Sequence, residues 1–254
     1  MMRTHKLITL IAVAAFCVAA TAFAHDFNGE TLSYEFGWKG IPAADATVKI
    51  RDGKCDKPCY DIKIELKGKK YLDLFWKVRD RFESTCLKEN YATQRFAFFQ
   101  REGNFNLDTE VRLDKSAGRL RSTRFRIDKN KNYKDKSAGP EVVFGPLASL
   151  LYMRSQALNV GDSQSVDVFD GKRTHTLYWQ VAAKEKIKIG LGQYNTLKLL
   201  PRITKSSSKD DKSKVEKVRK VTIWVSDDPS HTVLKIESEA FVGSVYAELV
   251  NGWP

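Results

Sequence analysis

Apolar and polar residues alternate along most of this chain, and this two-residue period restricts the fold more than any other sequence feature. Within residues 32–38 a leucine or an aromatic residue occupies every second position, and residues 60–67 place charged residues between apolar ones. Such alternation is typical of β-strands with one buried face. About a dozen segments of this kind, separated by turn residues, predict a mostly β protein.

One segment has the longer period of an α-helix. Leucines recur at helical spacing over residues 146–158, and Pro146 suits a first helical turn. Arg154 falls near the apolar stripe of this helix. Before it, residues 128–139 are rich in lysine and asparagine and interrupt the alternation, so they predict a loop.

One helix and many strands restrict how the apolar face of the sheet is covered. A single helix cannot cover both faces of a large sheet, so the sheet must curve over itself. We therefore expect a curved antiparallel sheet that forms a roll or open barrel, with one short helix near residues 146–158. Its apolar interior either is filled by its own side chains or leaves a groove for a lipid or acyl chain.

The first 24 residues are typical of a secretory signal peptide. Basic residues at positions 3 and 6 precede a mostly apolar run, and Ala22-Phe23-Ala24 fits the small-x-small cleavage site. This run is shorter than the roughly 20 residues that cross a bilayer, and no later stretch is long and apolar enough to do so. The sequence predicts a signal peptide at residues 1–24 and a single β-rich domain at residues 25–254, in the periplasm or secreted.

Three cysteines follow the predicted cleavage site: Cys55, Cys59 and Cys86. Disulfides persist in the oxidising compartment that exported proteins enter. Cys55 and Cys59 lie between two alternating segments, as at a hairpin tip, and are a candidate bridge, although all three pairings are open on sequence alone. With that bridge, Cys86 is either buried or available to another chain. The spacing is not that of a C-x-x-C redox pair, and no Cys or His cluster completes a zinc site.

The chain is strongly basic. Removing Arg3 and Lys6 from its 43 basic residues leaves 41 against 31 acidic ones, a net charge of +10. Positive charge attracts acidic polysaccharide, lipopolysaccharide and anionic lipid head groups, although a solvated lysine-rich surface is the alternative. The densest basic cluster is a candidate polyanion contact: Arg119, Arg121, Arg124 and Arg126. The aromatic residues next to this cluster are too few for a nucleic-acid stacking platform, so nucleic acid is not an expected partner.

Motifs of familiar catalytic chemistry are missing. H-E-x-x-H, G-x-S-x-G and P-loop patterns do not occur, and His175 and His231 each stand alone on strand-like segments. We therefore assign no catalytic residue, cofactor or metal ligand, and a non-enzymatic role is favoured.

Several segments occur together in a characteristic order. They are an opening strand and turn, a second block, the helix and two C-terminal stretches: Gly29–Tyr34, Gly37–Ile41, Val78–Ser84, Leu147–Arg154, Trp224–Asp227 and Gly243–Leu249. In these segments the chain resembles DUF3108, an uncharacterised family of exported bacterial proteins. The resemblance spans residues 28–250 and departs from the family pattern at Gly145, where an aspartate is expected before the helix, so a helix cap or polar contact is lost.

The resemblance implies a mostly β periplasmic protein and transfers no catalytic residue. Because an arginine on an apolar helix stripe needs a partner, Asp80 is a candidate partner for Arg154, either in a pair that fixes the fold or in a ligand site. The resemblance also marks six candidate ligand-binding residues: Trp38, Asp80, Tyr152, Arg154, Trp224 and Asp227.

These features predict a periplasmic non-enzymatic binding or envelope-maintenance protein. Aromatic walls would bury an acyl chain of a lipid or lipoprotein, and basic rim residues would meet anionic head groups. The alternative is a structural or interaction protein that binds an acidic envelope polymer through its basic surface, with steep loss of binding as salt rises.

Overall fold

The computed structural model describes residues 25–205, 220–239 and 243–253, so the predicted signal peptide at residues 1–24 lies outside the described residues. Within them, no helix combines the length and apolar character that crossing a membrane requires. The first arm of the fold comprises β1 (Thr31–Trp38), β2 (Ile41–Asp52), β3 (Cys59–Gly68), β4 (Arg79–Leu87), β5 (Thr93–Glu102), β6 (Phe105–Asp114), β7 (Arg119–Arg126) and β8 (Lys131–Ser137). After α1 (Pro146–Ser155), the second arm comprises β9 (Ser163–Phe169), β10 (Thr174–Ile189), β11 (Gly192–Lys205), β12 (Val221–Ser226), β13 (Val233–Glu239) and β14 (Ser244–Asn251). Short 3-10 turns lie at Lys70–Leu72 and Ile127–Lys129.

The fourteen strands of the described chain form one antiparallel sheet. Within each arm, strands adjacent in sequence are adjacent in the sheet, as in a meander. The arms join at the centre, where β1 pairs with β14 and places Trp38 opposite Val245. The edges of the sheet are β8 and β9, so strand pairing does not close it into a barrel.

The sheet rolls so that the end of β9 packs onto the concave face of the first arm. Phe169 is buried in one core cluster with Phe96 of β5. In the turn after β9, the Gly171 carbonyl accepts a hydrogen bond from the Ser122 hydroxyl at 2.6 Å. Gly171 has φ +87°, and a Cβ there would lie 2.6 Å from the Thr109 methyl, so this contact requires glycine. An open, rolled antiparallel sheet confirms the predicted fold class.

The helix α1 lies on the concave face, buried among strands of both arms. Ala148 and Leu151 pack with Ile62 of the first arm, whereas Met153 packs with Trp179 of the second. A helix that is apolar on most sides is typical of a buried position. Both arms thus bury their apolar faces against one short helix.

One local prediction is confirmed with a shorter range, and another is wrong. The predicted helix is present and ends at Ser155, because Gln156 adopts an extended conformation, although Leu158 still packs into the core. The predicted loop at residues 128–139 contains β8, whose side chains are almost all exposed. Backbone hydrogen bonds to β7 hold β8 as an edge strand, and its lysines are typical of edges protected from further pairing.

Candidate functional site

An apolar cavity of about 150 Å³ lies between α1 and the concave face where the two arms join. Among its described lining residues Arg154 alone carries a charge. An apolar cavity of similar volume holds a benzene-sized molecule in other proteins. The walls come from β1, β2, β3, β13, β14 and α1, and include Tyr34, Ala46, Val48, Ile64, Leu150 and Leu151.

The alternating direction of side chains along the strands determines which residues line the sheet side of this cavity. Side chains two residues apart on a strand point to the same face. In the sheet, Ala46 lies directly between Tyr34 of β1 and Leu66 of β3. The short alanine side chain between two long ones leaves apolar space on the concave face.

The helix side of the cavity depends on how α1 begins. Gly145 occupies the N-cap position without a side-chain cap, and its N–H donates to Thr93 Oγ1 at 2.7 Å. A Cβ at Gly145 would lie 3.2 Å from a ring carbon of Phe96. The absence of the expected aspartate therefore fits a tight contact with β5, in which Thr93 supplies the polar partner.

Arg154 is almost completely buried beside the cavity, and each of its three guanidinium nitrogens donates a hydrogen bond. Two of them bind the Glu30 carboxylate at 2.8 and 2.9 Å. Nε and Nη2 donate to the Ser230 carbonyl, and the Phe27 ring lies 4.6 Å from the guanidinium carbon. The partner of Arg154 is therefore Glu30 and not Asp80, and the pair ties α1 to the N-terminal segment and to the turn before β13.

The ring of Tyr34 lines the cavity, whereas its hydroxyl group bonds to the backbone of β13. The hydroxyl donates to the Val233 carbonyl at 2.9 Å. Burial raises the pKa of Tyr34 far above its usual value, so the group stays a neutral donor. Both polar groups of the wall, those of Tyr34 and Arg154, thus bind protein partners, which leaves an apolar surface for a ligand.

A second cavity, of about 300 Å³, lies further along the same face of β2 and β3. Its lining is mostly apolar and includes Ala44, Leu66, Phe75 and Trp76. Phe75 and Trp76 belong to the connection between β3 and β4, which borders the cavity. This end of the concave face is therefore partly covered by a loop rather than by a helix.

The two cavities follow one another along consecutive positions of the same strands. On β3 the inward residues run from Ile62 and Ile64, at the first cavity, to Leu66 and Gly68, at the second. At about 3.4 Å per residue, the distance from Ile62 to Gly68 is about 20 Å. We call this strip of the concave face, which contains both cavities, the apolar track.

Asp80 lies in the wall of the second cavity together with Glu102. It is 6% exposed and accepts a hydrogen bond from the Arg101 N–H at 2.7 Å. Burial raises the pKa of Asp80 above its usual value, and Glu102 raises it further, against the lowering effect of that hydrogen bond. The outer end of the track thus holds a buried carboxyl group near a second one.

Trp38 lies at this outer end of the sheet. It is 45% exposed, and the Lys39 ammonium lies 5.1 Å from its ring centre. It pairs across the sheet with Ile41, which is also exposed. Of the six predicted ligand residues, Arg154 lies at the inner end of the track, whereas Asp80 and Trp38 lie towards its outer end.

The other three predicted ligand residues lie away from the track. The ring of Tyr152 packs in the core, 5.0 Å from the ring of Phe144. Trp224 lies opposite Lys198, on the face of β12 that points away from the core, and its indole N–H donates to Glu185. Asp227 pairs with Lys184 at 3.1 Å on the surface. The six residues therefore do not form one site.

The four arginines of the basic cluster lie on both faces of β7. Arg119 and Arg121 share the outward face, whereas Arg124 and Arg126 follow the parity of the buried residues Leu120 and Ser122. Two of the four are paired. Arg121 binds Asp114 at 3.2 Å, and Arg126 binds Asp128 at 2.5 Å. These four side chains therefore do not form one continuous basic surface.

The cysteines form the predicted staple. Cys55 and Cys59 are joined by a disulfide between β2 and β3, which confirms that candidate pairing. Cys86 is a free, buried thiol, and burial raises its pKa to about 12. Within the described ranges, no group of three His, Cys, Asp or Glu side chains is arranged to hold a metal ion.

Sequence reasoning missed two parts of the site. Glu30 carried no signal as the partner of Arg154, because 124 residues separate them in sequence. The inward positions of β2 and β3 carried a usable signal, since the parity of residues 44–50 and 62–68 predicts one shared face. The position of a gap on that face depends on packing between distant strands.

Comparisons with known proteins identify a family and one solved structure with a similar fold. The sequence profile of the family described as "Protein of unknown function (DUF3108)" matches residues 33–250, which confirms the resemblance. No curated protein sequence matches the chain. A crystal structure of a β-barrel-like protein of the domain of unknown function DUF1849 from Brucella abortus has a TM-score of 0.56 at 9% identity, covering 87% of this chain and 95% of that one.

Two further crystal structures align at lower similarity. One is of a candidate lipoprotein from Parabacteroides distasonis, with a TM-score of 0.38 at 11% identity, covering 87% of this chain and 94% of that one. The other is of a candidate exported protein from Bacteroides fragilis, with a TM-score of 0.38 at 6% identity and the same coverage of 87% and 94%.

Proposed function

This chain belongs to the DUF3108 family of proteins of unknown function, and from the geometry of its own site we propose that it is a periplasmic, non-enzymatic protein that binds one acyl chain of a lipid or lipoprotein in the apolar track. The observation that carries the proposal is the apolar lining of the inner cavity, where Tyr34 and Arg154 already bind protein partners. Moving an acyl chain from water into such a lining is favourable, roughly in proportion to the apolar area removed from water.

The length of the track supports an acyl chain as the ligand. One leaflet contributes half of the roughly 30 Å hydrocarbon core of a bilayer, so an acyl chain is about 15 Å long. The track is about 20 Å long by strand geometry, which is enough for one such chain.

The volumes of the two cavities suggest an orientation. The inner cavity, of about 150 Å³, has room for a short apolar segment. The outer cavity, of about 300 Å³, carries the carboxyl groups of Asp80 and Glu102 in its wall. The methyl end of the chain therefore lies beside α1, and the polar head lies at the outer end.

Two features support a periplasmic location. Residues 1–24 have the composition of a secretory signal peptide. The Cys55–Cys59 disulfide is of a kind that persists in oxidising compartments. In the periplasm, a protein that holds single acyl chains would serve envelope maintenance by carrying or sensing lipid.

Native mass spectrometry of protein purified from the periplasm tests the proposal. We expect extra mass that is lost on denaturation and recovered as lipid. Ala46→Leu extends a side chain into the inner cavity and should abolish the adduct, whereas Ala182→Leu makes the same change at an exposed position of β10 and should keep it. A bare polypeptide mass for the unsubstituted protein would overturn the proposal. An adduct retained by Ala46→Leu would place the ligand outside the track.

A further inference from the structure

The connection between β3 and β4 exposes four large apolar side chains. We call residues 69–77 the apolar loop. Leu74 is 87% exposed, Phe75 84%, Trp76 58% and Tyr71 56%. Single exposed apolar residues are normal, but a contiguous group of them marks an interaction site.

The apolar loop is held in place by hydrogen bonds to the start of β2 and to the turn between β5 and β6. The Lys69 N–H donates to the Ala43 carbonyl at 2.9 Å, and the Tyr71 hydroxyl donates to the Pro42 carbonyl. On the other side, the Gly103 N–H donates to the Lys77 carbonyl at 2.7 Å. The exposed side chains therefore project from a defined conformation.

Within the apolar loop itself, the charges that form no ion pair with a described residue are basic. Lys70 and Lys77 flank the apolar residues, and neither forms an ion pair with any described residue. The acidic residue of the loop, Asp73, is bound by both terminal nitrogens of Arg79 at 2.5 and 3.0 Å. The surface thus combines apolar and aromatic groups with unneutralised positive charge.

This combination matches the chemistry of an anionic bilayer surface. Tryptophan and tyrosine favour the head-group region, and leucine and phenylalanine favour the acyl boundary below it. Lysines beside them reach lipid phosphates while their alkyl stems lie along apolar surface. An acidic protein groove could meet some of the same groups, but a single short loop with flanking lysines is the pattern of insertion into lipid.

We propose that the apolar loop docks the protein onto an anionic lipid bilayer, with Leu74 and Phe75 inserted below the head groups and Lys70 and Lys77 on lipid phosphates. This proposal does not depend on a ligand in the track. Phe75 and Trp76 also line the outer cavity, so docking brings the outer end of the track against the membrane.

Vesicle flotation tests the apolar part of the contact. The purified protein should float with vesicles of phosphatidylglycerol and phosphatidylethanolamine and bind phosphatidylcholine vesicles weakly. Leu74→Ser with Phe75→Ser should weaken binding by about tenfold or more, because burying each side chain is favourable. Val160→Ser with Ile203→Ser changes two apolar residues outside the loop that are about half exposed, and should leave binding unchanged.

A second pair of variants tests the charge. Lys70→Gln with Lys77→Gln should weaken binding to the anionic vesicles by about fivefold per lysine and leave binding to phosphatidylcholine unchanged. Lys186→Gln with Lys188→Gln removes two exposed lysines from β10 and should have a much smaller effect.

Three results would overturn the proposal. The first is no flotation with anionic vesicles at low salt, and the second is undiminished flotation of the Leu74→Ser, Phe75→Ser variant. The third is self-association that needs the apolar loop, without vesicle binding, which would assign the loop to a protein contact. Ala46→Leu separates the two proposals, because it should lose the lipid adduct and still float.

Discussion

The two ends of the apolar track differ in the burial and pairing of their charged groups and in the exposure of their apolar groups. At the inner end, the Arg154 guanidinium is 4% exposed and bound to Glu30 on two oxygens. At the outer end, burial and Glu102 raise the pKa of Asp80, and the apolar loop is exposed to solvent. The ion pair at the inner end has the features of a contact that stabilises the fold. The outer end keeps unfavourable features that stability alone does not explain, as functional regions do.

The contrast between the two ends depends most strongly on the inner ion pair, which we expect to stabilise the fold. Arg154→Ala should lower the free energy of unfolding by about 3 kcal/mol, because Glu30 is left buried without its main partner. The expected loss is at the lower end of the range for such pairs because His25 Nε2 remains 2.9 Å from Glu30. Urea unfolding measures the effect. Replacing the pair with Arg154→Met and Glu30→Leu should restore most of the stability, and a loss below about 1 kcal/mol in Arg154→Ala would show that the pair does not fix the fold.

A smaller effect is expected at Asp80, and it should depend on pH. Because the pKa of Asp80 is raised in the folded protein, its protonated form favours folding, and this contribution is lost as pH rises above the usual carboxyl value. Asp80→Asn should therefore unfold at higher urea than the unsubstituted protein at pH 7, with the difference shrinking towards pH 3. Asp56→Asn, at a carboxylate that is 92% exposed, is the control. A difference at Asp80 that grows on acidification would contradict the assigned direction.

The smallest effect on stability is expected in the apolar loop. Leu74→Ser with Phe75→Ser should change the free energy of unfolding by no more than about 0.5 kcal/mol, because both side chains are exposed. Thermal unfolding followed by circular dichroism checks this value in the variant that is expected to lose vesicle binding. A large destabilisation would mean that these side chains belong to the core, and the contrast between the two ends would disappear.

The strand pattern was predictable because it depends on local periodicity. Residues 32–38 and 60–67 alternate clearly, and both segments form strands of the rolled sheet. Edge strand β8 was missed because nearly all its side chains are exposed, so its sequence contains no buried face to detect. Pairing there depends on backbone groups that every residue carries.

The site was less predictable because it depends on contacts between distant residues. The burial of Arg154 beside the apolar stripe was foreseeable, but its partner at position 30 was not. The apolar run at residues 71–76 lies in the connection between β3 and β4, which is bound to the start of β2 and to the turn between β5 and β6. Nothing in a local pattern separates an apolar run that is buried from one that is presented to solvent.

The pairing of β1 with β14 has a consequence for the order in which the molecule is completed. Glu35 and Tyr246, whose side chains meet at 3.2 Å, are 211 residues apart in sequence. Each arm can form by pairing successive neighbours, but closing the centre requires β14, and such long-range contacts form slowly. During synthesis from the N-terminus the first arm emerges without one wall of the inner cavity, since that wall belongs to β13 and β14. The compartment for an apolar ligand therefore comes into existence only after β13 and β14 have been made, so a nascent chain that lacks them has no enclosed place to hold one.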